Sequence, residues 1–262
     1  MNDWSRNRKR LIFSLALLAF IVLVAIPLYF LLYRAPSCFD SKLNGDETGV
    51  DCGGSCQLLC QAESLPLLVK GDPRVLTISP NTYEIVALVE NPNNTGEIYH
   101  AGYTLKVYDA TSPLPSKIIE GETYVPQGEV FAIFERPFHL ESSVAPKRVT
   151  LEWHKETLLW RKSTLATPDL RVKDTKLSRE DTTPRLDAVI ENLSQEDVSN
   201  VELIALLSDA QGNIFAASST FLDKVSSGGQ AQAVFTWPQA FALKVVDIKI
   251  IMRIFPDKSF IR

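Results

Sequence analysis

The chain says nearly the same thing twice. "ALVEN" at 87–91 answers "AVIEN" at 188–192, so Glu90-Asn91 and Glu191-Asn192 stand 101 residues apart. "VYDA" at 107–110 answers "LSDA" at 207–210, and "AIFERP" at 132–137 answers "AVFTWP" at 233–238. Three landmarks in the same order at an almost constant offset imply a duplicated domain of about 90 residues. That period is far too long for a solenoid.

Each copy reads as β-strands. "EIVALVEN", "GYTLKVYDA", "GEVFAIFERP" and "KRVTLEWH" in the first carry apolar alternation, as at Val149, Leu151 and Trp153. "RLDAVIEN", "NVELIALLSDA", "QAQAVFTWP" and "VVDIKIIMRIF" repeat the pattern, with Val201, Leu203, Ala205 and Leu207 on one face. Turn signals such as "NPNNTG", "SPLP", "PQGE", "DAQGN" and "SSGGQ" separate them. Many short strands with regular turns imply an all-β fold of two tandem antiparallel sandwiches, at residues 73–160 and 168–262, joined by "KSTLATPDL".

Ahead of the repeats, residues 11–33 form a 23-residue run without one charge. At about 1.5 Å per residue such a helix spans roughly 34 Å, enough to cross a bilayer core. Pro27 is a kink that membrane helices tolerate. Tyr29 and Tyr33 stand near one end, where amphipathic rings favour the interface. Arg6, Arg8, Lys9 and Arg10 precede the run, and only Arg34 follows it before the cysteines. The positive-inside rule then places a basic tail, residues 1–10, in the cytoplasm and the rest outside. A cleaved signal peptide is the rival, but its apolar core is about 7–15 residues and ends at small residues, where this chain has "LLYRAPSC". Lipid attachment at Cys38 would want an aliphatic residue three positions earlier, where Ala35 stands.

All four cysteines, Cys38, Cys52, Cys56 and Cys60, fall within residues 35–62. Outside the cytoplasm an even count reads as two disulfides in a small knot, with three connectivities open. A bridge from Cys38 to Cys52 would stabilise such a knot by about 3 kcal/mol on the chain-entropy model. Gly45, Gly49, Gly53 and Gly54 supply its turns. A four-thiolate zinc site fits neither the wide gap nor the compartment. The loop from Asp40 to Asp51 echoes a calcium loop, with Asp40, Asn44, Asp46 and Asp51 as its oxygen donors and Gly45 at the sharp turn. Against calcium, Lys42 stands where a ligand should be, the last position is Asp, and no helices flank the loop.

No catalytic constellation emerges. His100, His139 and His154 are scattered, and there is no HExxH, nucleophile elbow or phosphate-cradling glycine loop. Glu120 and Glu122 share a face of a strand or turn and read as solvated. Asn93 and Asn192 begin glycosylation sequons, both near turns. Trp160 and Trp237 suit core packing better than exposed anchorage. The stretch after the anchor carries 22 basic and 30 acidic residues, once Arg6, Arg8, Lys9, Arg10, Arg34 and Asp3 are set aside. That excess, without a basic patch, argues against nucleic acid.

Two resemblances follow from these residues. The cysteine stretch resembles a motif of secreted and surface proteins, "NG-x-E-T-x-VDCGG-x-C", through Asn44, Gly45, Glu47, Thr48, Val50 to Gly54 and Cys56. Each copy resembles the FxLYD-type immunoglobulin-like domains of bacterial envelope proteins. The matching residues are Val89, Asn91, Tyr108, Asp109, Gly128, Glu129 and Phe134, then Ile190, Asn192, Asp209, Gly212, Gly228 and Phe235. The resemblance implies surface display, adhesion or assembly and no catalytic residues. The expected function is a membrane-anchored, extracytoplasmic interaction or structural module, held by residues 11–33, with another envelope protein or surface polymer as partner. The alternative is an accessory or calcium-sensing subunit of a membrane enzyme or transport complex.

Alkylation and mass mapping without reductant should find every cysteine protected. Two or more alkylatable thiols in fresh material would favour metal binding instead.

Overall fold

The structure is a computed structural model that describes residues 3–32, 35–141, 144–163 and 167–256. It divides into a unit of residues 1–56 and a unit of residues 57–262, which are taken separately.

The first unit holds one continuous helical stretch, α1 (Asp3–Phe20), a π-turn at Ile21–Ala25 and α2 (Ile26–Leu32). The π-turn has a cause two residues on. Pro27 offers no N–H and its ring crowds the carbonyl four residues back, so the ladder widens and Ile26 N–H reaches Ile21 O. The side chains from Leu11 to Tyr29 that are described are exposed throughout. Arg6–Tyr29 is long and apolar enough to cross a membrane, a test that a signal sequence also passes. Tyr33 and Arg34 lie outside the described residues. The cysteine loop follows without regular structure. Cys38 is bridged to Cys56, not to Cys52; Cys52 and Cys60 are disulfide-bonded too, and no thiol is free.

The second unit is all antiparallel β. Its strands are β1 (Leu68–Val69), β2 (Arg74–Ser79), β3 (Thr82–Glu90), β4 (Gly96–Tyr108), β5 (Lys117–Val125), β6 (Val130–His139), β7 (Arg148–Trp153), β8 (Arg161–Lys162), β9 (Leu170–Ser178), β10 (Arg185–Asn192), β11 (Val198–Ser208), β12 (Ile214–Val225), β13 (Gln230–Thr236) and β14 (Asp247–Ile254). In the first sandwich, β3 pairs with β1, β2 and β6, and opposite it β4 pairs with β5, β7 and β8. In the second, β10 lies between β13 and β9, and β11 between β12 and β14. Ile85, Val89 and Phe131 meet Ile98, Leu105 and Val107 in the first core. Leu186, Ile190 and Phe235 meet Val201, Leu203 and Leu207 in the second.

A third core joins the sandwiches. Leu76, Val86 and Ala132 on the outer face of the β3 sheet pack on Ile204, Leu206, Ala217 and Ile251 from the outer face of the β11 sheet. The four sheets therefore stack in one pile. The two copies are closely packed, which their tandem order alone does not require. The stretch from Gln57 to Leu67, ahead of β1, is also built into the first sandwich. Leu59 N–H donates to Trp160 O, Lys162 N–H to Gln57 O, and Leu59 and Leu67 pack on the first core.

The repeated Glu-Asn now has a mechanism. Asn91 is buried at the end of β3; its Nδ2 donates to Gly96 O and Pro126 O, and its Oδ1 accepts Asn93 N–H. Asn192 repeats this at the end of β10 with Glu196 O, Val225 O and Ser194 N–H. The turn each one braces has glycine in the left-handed region, Gly128 (φ 59°) and Gly228 (φ 62°). Here the offset is 100, and pairing keeps it there: Ala87 faces Ile133, whereas Ala188 faces Ala233. Phe134 and Phe235, 101 residues apart in the matching stretches, are therefore not equivalent. One residue of slip turns Phe134 to the junction and Phe235 to the second core.

Asn192→Ala should cost about 2–4 kcal/mol, because it leaves two carbonyls and one N–H without partners at a buried position. Urea unfolding of the detergent-solubilised chain checks this, and a loss below about 0.5 kcal/mol would refute the bracing role.

Candidate functional site: the junction between the sandwiches

The sequence-derived candidates lie apart from one another. In the cysteine loop the Asp51 carboxylate accepts the N–H groups of Asp40 and Ser41, and Asp40 accepts Lys42 N–H and Asn44 Nδ2. Asp46 accepts the Ser55 hydroxyl. These bonds close the loop upon itself. Asn44 turns its amide N–H toward Asp40, and its Oδ1 is buried without a hydrogen-bond partner. One group of three metal-type donors draws together among the described residues, Cys38, Glu47 and Cys56, and both of its sulfurs belong to a disulfide.

The histidines lie on the first sandwich. The His100 ring meets Glu122 and His154 Nε2 meets Thr104 Oγ1 at 2.7 Å, while His139 ends β6. Glu120 and Glu122 flank Gly121 on β5 and share one face. Trp160 and Trp237 are buried, the latter donating Nε1–H to Ala217 O. Of the two sequon asparagines, Asn192 is wholly buried and Asn93 is bonded to the Leu65 backbone.

The functional-looking chemistry sits at the junction, on two residues that the sequence reading passed over. Arg253, on β14, is 5 % exposed. Its Nε and Nη2 donate to Glu202 Oε2 at 3.0 and 2.6 Å, and its Nη1 crosses to Thr123 Oγ1 and Tyr124 O of the first sandwich at 2.7 and 3.0 Å. The guanidinium also lies over the Phe255 ring, 4.7 Å from its centre. It is a buried, multiply satisfied cation that latches one copy to the other. Glu84, on β3, is 6 % exposed and sits across from β12. Burial pushes its carboxyl up to about 7, and the Ala217 N–H that it accepts pulls the other way. A signal for both exists in the sequence: each is the one charge within an apolar stretch of its strand, "YEIVALV" and "IIMRIF".

Clefts open around this junction among the described residues. One of about 460 Å³ runs beside β14 past Tyr124 and Glu129, whose carboxyl burial raises. A second, of about 640 Å³, lies between β2 and the Trp237–Leu243 stretch. The third, about 270 Å³, is polar and includes Glu122, Glu135 and Arg253; there the Tyr103 hydroxyl donates to Glu135.

No family model matches the chain, and no curated protein matches it. Among solved structures, red sea bream transglutaminase is similar over 70 % of this chain and 28 % of its own, at 9 % identity and a TM-score of 0.23. A β-glucuronidase from glycoside hydrolase family 2 is similar over 84 % and 28 %, at 13 % identity and 0.22. The coconut allergen cocosin is similar over 72 % and 87 %, at 7 % identity and 0.12. The chain thus spans about a quarter of the first two, and likeness at these scores carries no argument about fold or chemistry.

Glu84 generates a pH dependence. Its carboxyl titrates near 7 when folded and near 4.5 when unfolded, so the folded state holds the proton more tightly. Its contribution is full below pH 4.5, declines as pH rises to about 7, and is level beyond. Glu84→Gln keeps an acceptor for Ala217 N–H without the buried charge. It should raise stability at pH 8 by up to about 3 kcal/mol and flatten the profile between pH 5 and 7.5. Thermal melts across that range check it, and an unchanged slope in the variant would show that the titrating group lies elsewhere.

Proposed function

We propose that the chain is a membrane-anchored, extracytoplasmic interaction or structural module of the cell envelope and that it is not an enzyme. The observation that carries this reading is the Arg6–Tyr29 helix, apolar and without buried side chains, with basic residues at its leading end. Four disulfide-bonded cysteines fit an oxidising compartment. Inside the second unit, the buried ionisable residues Arg253 and Glu84 bind one sandwich to the other, a supporting role. The partner is another envelope protein or a surface polymer, and the resemblance to FxLYD-type envelope domains points the same way. In spheroplasts, protease added outside should digest the region after residue 35 while the N-terminal tail is spared. Protection of the sandwiches until the membrane is lysed would overturn the orientation.

A further inference from the structure

The cleft of about 640 Å³ differs from the other two in its charge. Among the described residues that line it, Glu84 is the ionisable one. Leu76 and Ile78 form one wall, and Phe215, Phe241 and Leu243 the other. Leu243 is 49 % exposed at the rim. Side chains alternate along a strand, so lining by every residue from Val75 to Pro80 means that the cleft follows the free edge of β2, some 17–20 Å long at about 3.3 Å per residue. The floor is preorganised. Ala217 gives its N–H to Glu84 and its carbonyl to Trp237 Nε1–H, which occupies the edge of β12 at that residue. A carboxylate has about four acceptor positions, and one N–H leaves the others for a ligand.

We propose that this cleft binds a short, extended and otherwise uncharged peptide segment of a partner protein, through one lysine whose ammonium meets the Glu84 carboxylate. The inference rests on the reading of the chain as an interaction module. The lysine stem lies along the apolar walls and brings its three donors to the buried acceptor. Small apolar side chains of the segment cover Phe215 and Phe241. The pairing break at Ile78 and the following Pro80 keep β2 from accepting a long strand, so recognition falls on side chains over a short stretch. Among the described residues, β12 and the Trp237–Leu243 stretch line the cleft with uncharged side chains, Arg74 of β2 reaches Asn213, Glu135 of β6 accepts the Tyr103 hydroxyl, and Arg136 of β6 lines the polar cleft. Lysine binding therefore expels the proton from Glu84 and strengthens as pH rises through 7.

The test is an array of acetylated heptapeptides with Val, Ile, Thr and Ser flanks and a central Lys, norleucine or Glu, probed with the detergent-solubilised full chain. At pH 8, Lys peptides should bind at least tenfold more tightly than their norleucine twins, with the gap narrowing below pH 6. Glu84→Gln should erase the gap while circular dichroism shows an intact fold, and Leu243→Asp should weaken both series. Equal binding of Lys and norleucine peptides, no binding at all, or a gap that survives Glu84→Gln would overturn the proposal. Hexylamine competing as well as the best peptide would overturn it in favour of a small lipophilic amine. The orientation test with spheroplasts does not depend on the array, so either reading can fail alone.

Discussion

Val86 and Ile204 lie on sheet faces that an isolated sandwich would show to water. The packing of those two faces in one core is the constraint on which the second unit depends. β3 and β11 each have one face in a sandwich core and the other in the junction core, so the central strands have almost no solvent side. At about 25 cal/mol per Å² of apolar surface, exposing such a face would cost each copy much of its margin. The buried polar groups follow from this. Arg253 is tolerated because Glu202 of its own copy pairs with it and the opposite copy supplies a hydroxyl and a carbonyl, and Glu84, at the cleft, because the opposite copy supplies an N–H.

Much of this was legible from residue order, and the exceptions have physical reasons. The central strands β3, β4, β10 and β11 were plain because strong apolar patterns mark strands inside a sandwich. β5 and β9 escaped because edge strands expose most of their side chains, and Lys117, Glu120, Lys173 and Lys176 break any alternation. The third core was hidden in plain view. "EIVALV" is a near-continuous apolar run, the mark of a strand covered on both faces, and reading only its alternating half finds one core instead of two. The one-residue error at Phe134 and Phe235 has the same origin, since both faces of β6 are apolar and either register looks sensible.

The cysteine loop shows where spacing misleads. Asp40, Asn44 and Asp51 stand at intervals that suit a cation, yet those intervals equally suit carboxylates that accept backbone N–H groups across a tight loop. Sequence cannot distinguish a ligand oxygen from a turn-closing one. Likewise the stretch after Cys56 has the Pro and Gly of a linker, but Leu59 and Leu67 are apolar enough to be drawn onto the first core. Local composition does not reveal that pull.

The faces that meet at the junction come from different sheets of the duplicated fold. The first copy offers the sheet that ends in its buried asparagine, and the second offers the opposite sheet. The contact is therefore heterologous: like surfaces do not meet like, and no two-fold axis closes it. Geometry of this kind is open-ended, and a third copy could stack by the same rule and a fourth upon it. Growth is arrested by chemistry at the two ends of the pile. The outermost face beside β4 carries Lys106, Glu152 and His154, and the one beside β10 carries Arg185, Asp187 and Glu191. A handful of apolar substitutions on either end would turn a self-limited pair into the seed of a fibre.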